Sequence, residues 1–217
     1  MNRFQLKILA VVTMLIDHIG AVFFPQAVLL RIIGRLSFPI FAFLISEGLT
    51  HTSNIKKYFL RLLLFAFISE VPFDLAFRMS IFNPQSQNIF FTLFFGLAAI
   101  YFLKAYLYQN PAIAVLLALS MALLAEFFNT DYGWFGVAAV IVFYCFRKSR
   151  IWGAAAFVLL AAAFGLLSSS LEIYAAAAII PILAYNGEKG RWNWKYFFYL
   201  FYPVHLLLIY FIHLVAI

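Results

Sequence analysis

The sequence predicts an all-α protein, a polytopic bundle of transmembrane helices, on three observations. First, 66% of its 217 residues are hydrophobic and 11% are charged, where soluble domains carry about 45–50% and about 25%. Second, apolar runs follow one another from end to end, most of them near the roughly 20 residues that cross a hydrocarbon core, and the mean hydropathy is +1.00. Third, the basic residues cluster at alternate ends of these runs, as the positive-inside rule requires of a multi-pass protein.

Nine spans are expected, at about 5–24, 30–50, 57–78, 88–108, 111–128, 133–147, 150–168, 171–186 and 195–216, with Gly, Pro, Asn and charge clusters between them. Runs five, six and eight are short, so one of them is a candidate re-entrant segment and eight spans is the alternative. With the N-terminus in the cytoplasm, the inner ends collect Arg3, Lys7, Lys56, Lys57, Arg61, Lys104, Arg147, Lys148, Arg150, Lys189, Arg191 and Lys195. These are 12 of the 15 Lys and Arg residues, and Arg31, Arg35 and Arg78 alone fall towards the outside. Residues 1–217 read as a single domain, since no stretch between spans has the size of a soluble one. The basic start and first run resemble a secretory leader, but Asp17 and His18 interrupt the run and no Ala-x-Ala-like cleavage site follows, so a retained span is expected. The net charge of +7 follows from topology rather than from a nucleic-acid partner. The lone Cys145 excludes an intramolecular disulfide, and four scattered histidines give no metal-ligand spacing.

The first span carries the sharpest signal. Asp17 and His18 lie at bilayer depth, where ionisable side chains are expensive and mark functional sites. As neighbours on a helix they diverge by about 100°, so His18 needs an orienting partner from another span and Asp17 pairs elsewhere, with Arg31 or Arg35 as candidates. Those two arginines are four apart and share a helix face. Six acidic residues, Asp17, Glu70, Asp74, Glu126, Asp131 and Glu172, gather on the outer side with the three misplaced arginines. Carboxylates contribute little to topology, so the gathering implies a polar cavity of paired charges opening outward.

Glu70, Asp74 and Arg78 form an i, i+4, i+8 ladder in the third span, beside Pro72. Two carboxylates four apart repel, so one of them is protonated or a cation lies between them, and a structural ion network is the plainer reading. Glu47 and His51 read as a solvated helix end. Asn88 is a candidate hydrogen-bond donor to substrate or oxyanion. Asp131, ahead of Tyr132 and Gly133, suits a helix N-cap. His205 follows Pro203 in mid-span, either as a functional imidazole or as one that bonds across helices. His213 is expected at the interface. P-loop, Rossmann and Gly-x-Ser-x-Gly patterns are absent.

Several stretches together resemble the TraX family: Met14-Leu15-Ile16-Asp17-His18-Ile19-Gly20, Gly34-Arg35-Leu36-Ser37-Phe38-Pro39-Ile40-Phe41, Glu47-Gly48, Ile68-Ser69-Glu70-Val71-Pro72-Phe73-Asp74-Leu75, Asp131-Tyr132-Gly133, Tyr185-Asn186-Gly187 and Phe201-Tyr202-Pro203-Val204-His205-Leu206. The resemblance covers nearly the whole chain in order. It implies a bacterial inner-membrane acyltransferase, since the family's named member acetylates the N-terminus of a conjugative pilin. A more distant similarity to integral-membrane acyltransferases, including the lysosomal heparan glucosaminide N-acetyltransferase, implies cytoplasmic acetyl-CoA as donor and an acceptor on the far side.

The resemblance matches His18, Arg35 and His205 to family positions, and with the charge pattern of the spans His18, Asp17, Arg35, Glu70 and Asp74 are the expected catalytic set. Arg31, Asn88, Asp131, Tyr132 and His205 are expected around the acceptor, an exported protein or a glycan. Lys56, Lys57, Arg61, Arg147, Lys148 and Arg191 are expected at the acyl-CoA phosphates, a role that charge-assisted bonds suit. Membrane lipids are the other expected partners, no metal is expected, and a homo-oligomer is compatible with the pattern. A proton-coupled transporter using Asp17, His18, Glu70 and Asp74 as a relay is the alternative, and a scaffold for a surface-assembly system is the third reading.

Overall fold

The computed structural model describes residues 1–192 and 194–216, with every side chain in them except that of Lys195. The charge expectation for Lys195 therefore lies outside the described side chains. Ten α-helices and one 3₁₀ segment follow in chain order, with no strand among the described residues: α1 (Arg3–Phe23), α2 (Val28–Gly34), α3 (Ser37–His51), α4 (Ile55–Arg78), α5 (Ile89–Tyr106), α6 (Pro111–Phe127), α7 (Gly133–Cys145), α8 (Arg150–Leu167), the 3₁₀ segment Ser170–Ala178, α9 (Ile179–Leu183) and α10 (Lys195–Ala216). The protein is an all-α helical membrane protein. Among the described residues, five stretches are long and apolar enough to cross a membrane: Arg3–Phe23, Val28–His51, Ile89–Tyr106, Arg150–Leu167 and Tyr196–Ala216. Each expected span coincides with a helix or a helix pair.

Two spans differ from a single regular helix, for local reasons. The second is broken between α2 and α3. Pro39 has no N–H to return to the carbonyl of Arg35, the Arg35 N–H is shared between Arg31 at 3.1 Å and Ile32 at 3.2 Å, and Leu36 bonds back to Ile33 at 3.3 Å in a tighter turn. The eighth is a nine-residue 3₁₀ segment followed by the five residues of α9, where Pro181 removes a further donor. Its stretched rise gives about 25 Å, against about 21 Å for the same residues in α-helix. α7, with 13 residues, reaches only about 20 Å, short of a roughly 30 Å hydrocarbon core. α4 has the length to cross, at 24 residues, but it carries the charges of the expected polar ladder.

The chain forms two compact units: Met1–Phe41, Ile68–Asn83 and Ala154–Ile217 make one, and Ala42–Phe67 with Pro84–Gly153 the other. In the first, α1 packs on α2 and α10. Gly20 makes room for Leu30, whose Cβ would lie 2.6 Å from a Cβ at position 20. Ser37 Oγ donates to the carbonyl of Ala10 at 2.9 Å, tying α3 to α1. Asn2 and Gln5 form a reciprocal capping box at the start of α1, with bonds of 3.0 and 2.9 Å. Residues 1–3 pair with the connection after α9: Met1 N–H donates to Ala184, Asn186 N–H to Met1 at 2.8 Å and Arg3 N–H to Glu188 at 2.8 Å. An alternating nine-span topology puts both segments on the same side of the membrane.

In the second unit, α5, α6 and α7 pack through small residues. Gly96 faces Val140 where a Cβ would lie at 2.8 Å, and Ala114, Ala118 and Ala125 are buried along α6. Phe135, Val137, Ala139 and Val140 of α7 are fully enclosed. The connections 79–88 and 128–132, both extracytoplasmic in the alternating topology, meet through Gln87 N–H to Asn129 at 2.9 Å and Asp131 N–H to Gln87 at 2.8 Å.

Orientation is testable with Cys145 replaced by Ser and single cysteines introduced at two exposed loop positions, Ser53 and Gln85. A membrane-impermeant maleimide is expected to label Gln85→Cys in intact cells and Ser53→Cys only after permeabilisation. The reverse pattern would invert the orientation.

Candidate functional site

His18 lies in the last third of α1, five residues before its end at Phe23. Its Nδ1 is 2.7 Å from Nε2 of His205 on α10, and the two rings are parallel to within 7° with centroids 5.0 Å apart. Nδ1 of His205 is in turn 2.7 Å from the carbonyl oxygen of Phe201, one turn back. A carbonyl only accepts, so the proton of this contact belongs to His205 Nδ1. The neutral His205 ring then accepts at Nε2, His18 donates from Nδ1, and Nε2 of His18 keeps its lone pair. The hydrogen-bond partners assign these tautomers. Phe201 stacks on His205 at 4.8 Å, Tyr202 meets both rings edge-on at 6.0 and 5.7 Å, and Phe77 of α4 meets His18 edge-on at 5.2 Å. Pro203 adds to this turn by offering no N–H to the carbonyl of Tyr199.

Asp17 points elsewhere, as the 100° divergence requires. Its carboxylate takes both arginines: Nη2 of Arg35 at 3.0 and 3.1 Å, and Nη1 of Arg31 at 2.8 Å. Nη1 of Arg31 also donates to the backbone carbonyl of Asp17 at 3.1 Å. Nη1 of Arg35 donates at 2.6 Å to Oε1 of Glu172, which the 3₁₀ segment delivers. Asp17, Arg35 and Glu172 are all buried, while Arg31 is partly exposed. Two cations and two carboxylates cancel, which is what buried charges need in an apolar medium. Gly34 permits this approach, because a Cβ there would overlap the Asp17 carboxylate.

Of the expected site residues, the structure therefore brings together His18 with His205, and Asp17 with Arg31 and Arg35. Glu172 completes the second group. Sequence reasoning did not single it out, although a lone carboxylate in the run Ser170–Ala178 is itself the intramembrane signal that marked Asp17. His205, expected around the acceptor, is the partner of His18.

Glu70 and Asp74 lie on the part of α4 that belongs to the first unit. Asp74 is fully buried, and its Oδ2 accepts the Asn83 N–H at 2.7 Å, while its carbonyl accepts from Ser80 at 3.4 Å. It folds the connection after Arg78 back onto the helix end, with Met79 in the left-handed region at φ 54°.

Asn88, Asp131 and Tyr132 belong to the second unit. Asn88 is buried and caps α5, accepting from Phe90 N–H at 3.0 Å and donating to the carbonyl of Ala66 at 2.7 Å. The expected N-cap at Asp131 is corrected. α7 starts at Gly133, so Tyr132 is its N-cap, with a left-handed φ of 64° and no side-chain cap. Glu126 Oε2 instead accepts the Trp134 N–H at 3.2 Å, and the carbonyl of Asp131 accepts from Thr92 Oγ1. His51 is exposed at the end of α3, with Nδ1 3.8 Å from Glu47 Oε2, and His213 meets Phe23 edge-on.

Lys56, Lys57 and Arg61 rise from the first turns of α4, with Arg61 over the Tyr58 ring at 5.7 Å. Arg147 and Lys148 follow α7 and are exposed, with Arg147 over Tyr144 at 4.3 Å. These five share the second unit, whereas Arg191, over Trp192 at 5.7 Å, belongs to the first.

Removing one member of a buried ion network strands its partner and costs about 3–5 kcal/mol. Glu172→Ala is expected to lower the Tm of the purified protein accordingly. Gly34→Ala, which deletes no charge, acts in the same direction by displacing Asp17. A wild-type Tm for Gly34→Ala would show that the close approach is not required.

No solved structure matches this chain. It is 33% identical, over 96% of its own length and 94% of the relative's, to the probable fimbrial assembly protein FimC, serogroup H1, of Dichelobacter nodosus. A shorter stretch, 46% of this chain and 36% of the relative, is 30% identical to an uncharacterized protein of Rickettsia prowazekii (strain Madrid E). The family model described as TraX protein matches residues 2–213, and the chain belongs to the TraX family.

Proposed function

We propose that this protein is an acetyltransferase of the bacterial inner membrane, moving an acetyl group from cytoplasmic acetyl-CoA to an extracytoplasmic amine. The observation that carries the reading is the contact of His18 Nδ1 with His205 Nε2, whose other ring nitrogen meets the Phe201 carbonyl, a chain of partners that assigns the lone pair to His18 Nε2. A ring nitrogen held in one tautomer at bilayer depth suits a general base. The fimbrial assembly protein among the relatives favours a pilin-like subunit as acceptor over a glycan.

The donor's phosphates suit Lys56, Lys57, Arg61, Arg147 and Lys148, which lie in one unit at helix ends expected on the cytoplasmic side from the basic bias. His18 is 15 residues beyond Arg3 along α1, about 22 Å along the helix from its start, and the chemistry is assigned to that depth of the first unit. There the acceptor amine gives its proton to His18 Nε2 and attacks the thioester carbonyl. Arg31 supports the reading as the oxyanion donor. It is partly exposed, it is anchored on the peptide that joins Asp17 to His18, and Arg35 already serves two carboxylates. In this account Asp17, Arg35 and Glu172 hold Arg31 and α1 in place rather than touching substrate.

Purified wild-type protein is expected to bind acetyl-CoA and transfer the acetyl group to a peptide amine. His18→Ala is expected to bind it unchanged while turnover falls by about 10²- to 10⁴-fold, the share a general base contributes. Mass spectrometry for an acetyl-His18 adduct separates a two-step route from direct transfer. Absence of acetyl-CoA binding in wild type would sink the reading and favour the proton-coupled transporter.

A further inference from the structure

We propose that His205 is a positioning residue that also stores the proton taken by His18, so that the pair works as a reversible two-histidine relay. The proposal rests on the acyl-transfer reading for its chemistry but on geometry for its form. The contact between His18 Nδ1 and His205 Nε2, at 2.7 Å, holds one proton and not two, because two N–H groups would face each other there. A proton arriving at His18 Nε2 therefore has a way on. The Nδ1 proton crosses to His205 Nε2, and His18 remains a neutral ring with its proton now on Nε2.

The positive charge then resides on His205, whose Nδ1–H already points at the carbonyl of Phe201 at 2.7 Å. A carbonyl dipole favours a cationic donor. The charged groups around His18 favour the same outcome. Asp17 from α1, Arg31 from α2, Arg35 at its end and Glu172 from the 3₁₀ segment are two cations and two carboxylates paired with one another, whose charges cancel. From α4 the contact is the Phe77 ring, with Asp74 and Arg78 flanking it in sequence. From α10 the contacts are Tyr202 and His205.

In transfer the atoms balance without another reagent. The acceptor nitrogen forms the bond to the acyl carbon as its proton goes to His18 Nε2, and the Nδ1 proton moves to His205. The C–S bond breaks with its electron pair on sulfur. His18 Nε2–H then gives its proton to that thiolate, while Nδ1 recovers its own from His205. Base and acid steps use one nitrogen, and the imidazolium forms on the ring away from the reacting atoms.

The test uses the full-length protein with 15N-labelled histidine in bilayers, with NMR read on its own and beside turnover. At neutral charge we expect His18 protonated at Nδ1, His205 protonated at Nδ1, and a 15N–15N coupling across their shared proton. After uptake of one proton we expect His205 doubly protonated and His18 carrying its proton on Nε2. An imidazolium on His18, or no coupling at all, overturns the relay whatever the enzyme assay gives. His205→Gln keeps an acceptor near the Nε2 position but cannot take a proton. It is expected to preserve the His18 tautomer and the donor KM while lowering kcat at least tenfold, and His205→Phe is expected to lose the tautomer as well. A wild-type kcat in His205→Gln reduces His205 to orientation alone and overturns the proposal. If wild type shows the coupling and the proton shift but transfers no acetyl group, the relay stands and the acyl-transfer reading falls.

Discussion

A guanidinium cannot stay charged inside an apolar bundle without anions beside it, and the placement of Arg35 organises the outer half of the first unit. Its two donors run to Asp17 and Glu172, on α1 and on the 3₁₀ segment that follows α8. The fixed point requires the side chain of Asp17 to lie against the backbone of α2, which Gly34 permits. It is accompanied by a turn at Arg35 and Leu36 between α2 and α3, where the Arg35 N–H is shared between Arg31 and Ile32 and Leu36 bonds back to Ile33. The 3₁₀ backbone does related work on the other side. It covers more distance per residue than α-helix, so a segment too short to span as α-helix carries Glu172 to the level of Asp17.

The same constraint fixes His18. Asp17 and His18 are consecutive, so anchoring one side chain sets the rotation of α1 and with it the direction of the other. With Asp17 turned to α2, His18 is turned towards α10, where Phe201, Tyr202 and Pro203 shape the turn that presents His205. Aromatic edges from Phe77 and Tyr202 fill the remaining space. Each histidine is thus held by a partner far from it in the chain, at a sequence separation of 187.

How much of this was legible follows from the range of each interaction. The helices were readable because apolar length and punctuation are local properties, and each expected span coincides with a helix or a helix pair. Asp17, His18, Arg31 and Arg35 stood out because charge at bilayer depth is costly wherever it occurs, and even the pairing of Asp17 with the arginines was foreseeable from four-residue spacing. The partnership of His18 with His205 was not, since nothing in a sequence ranks one distant imidazole against another. Glu172 was passed over among six outer carboxylates because neighbouring alanines and leucines gave it no companion. Asp131 misled for the opposite reason. Short polar side chains near helix starts serve backbone groups first, and a shift of one residue in the start of α7 moved the cap from Asp131 to Tyr132 and left Glu126 to meet the exposed N–H of Trp134.

The choice of an imidazole, rather than a carboxylate, beside His18 has a physical logic in this setting. The four ions next to it already sum to zero. A carboxylate at position 205 would introduce a buried charge with no counter-ion, at a cost of several kcal/mol, unless His18 were permanently cationic and so useless as a base. A neutral imidazole orients the ring by the same hydrogen bond, adds no charge at rest, and exposes a lone pair at the far nitrogen. The electrostatic state of the region then changes only when a proton is delivered, and it is the structure's neutrality, more than any single contact, that keeps His18 available to receive one.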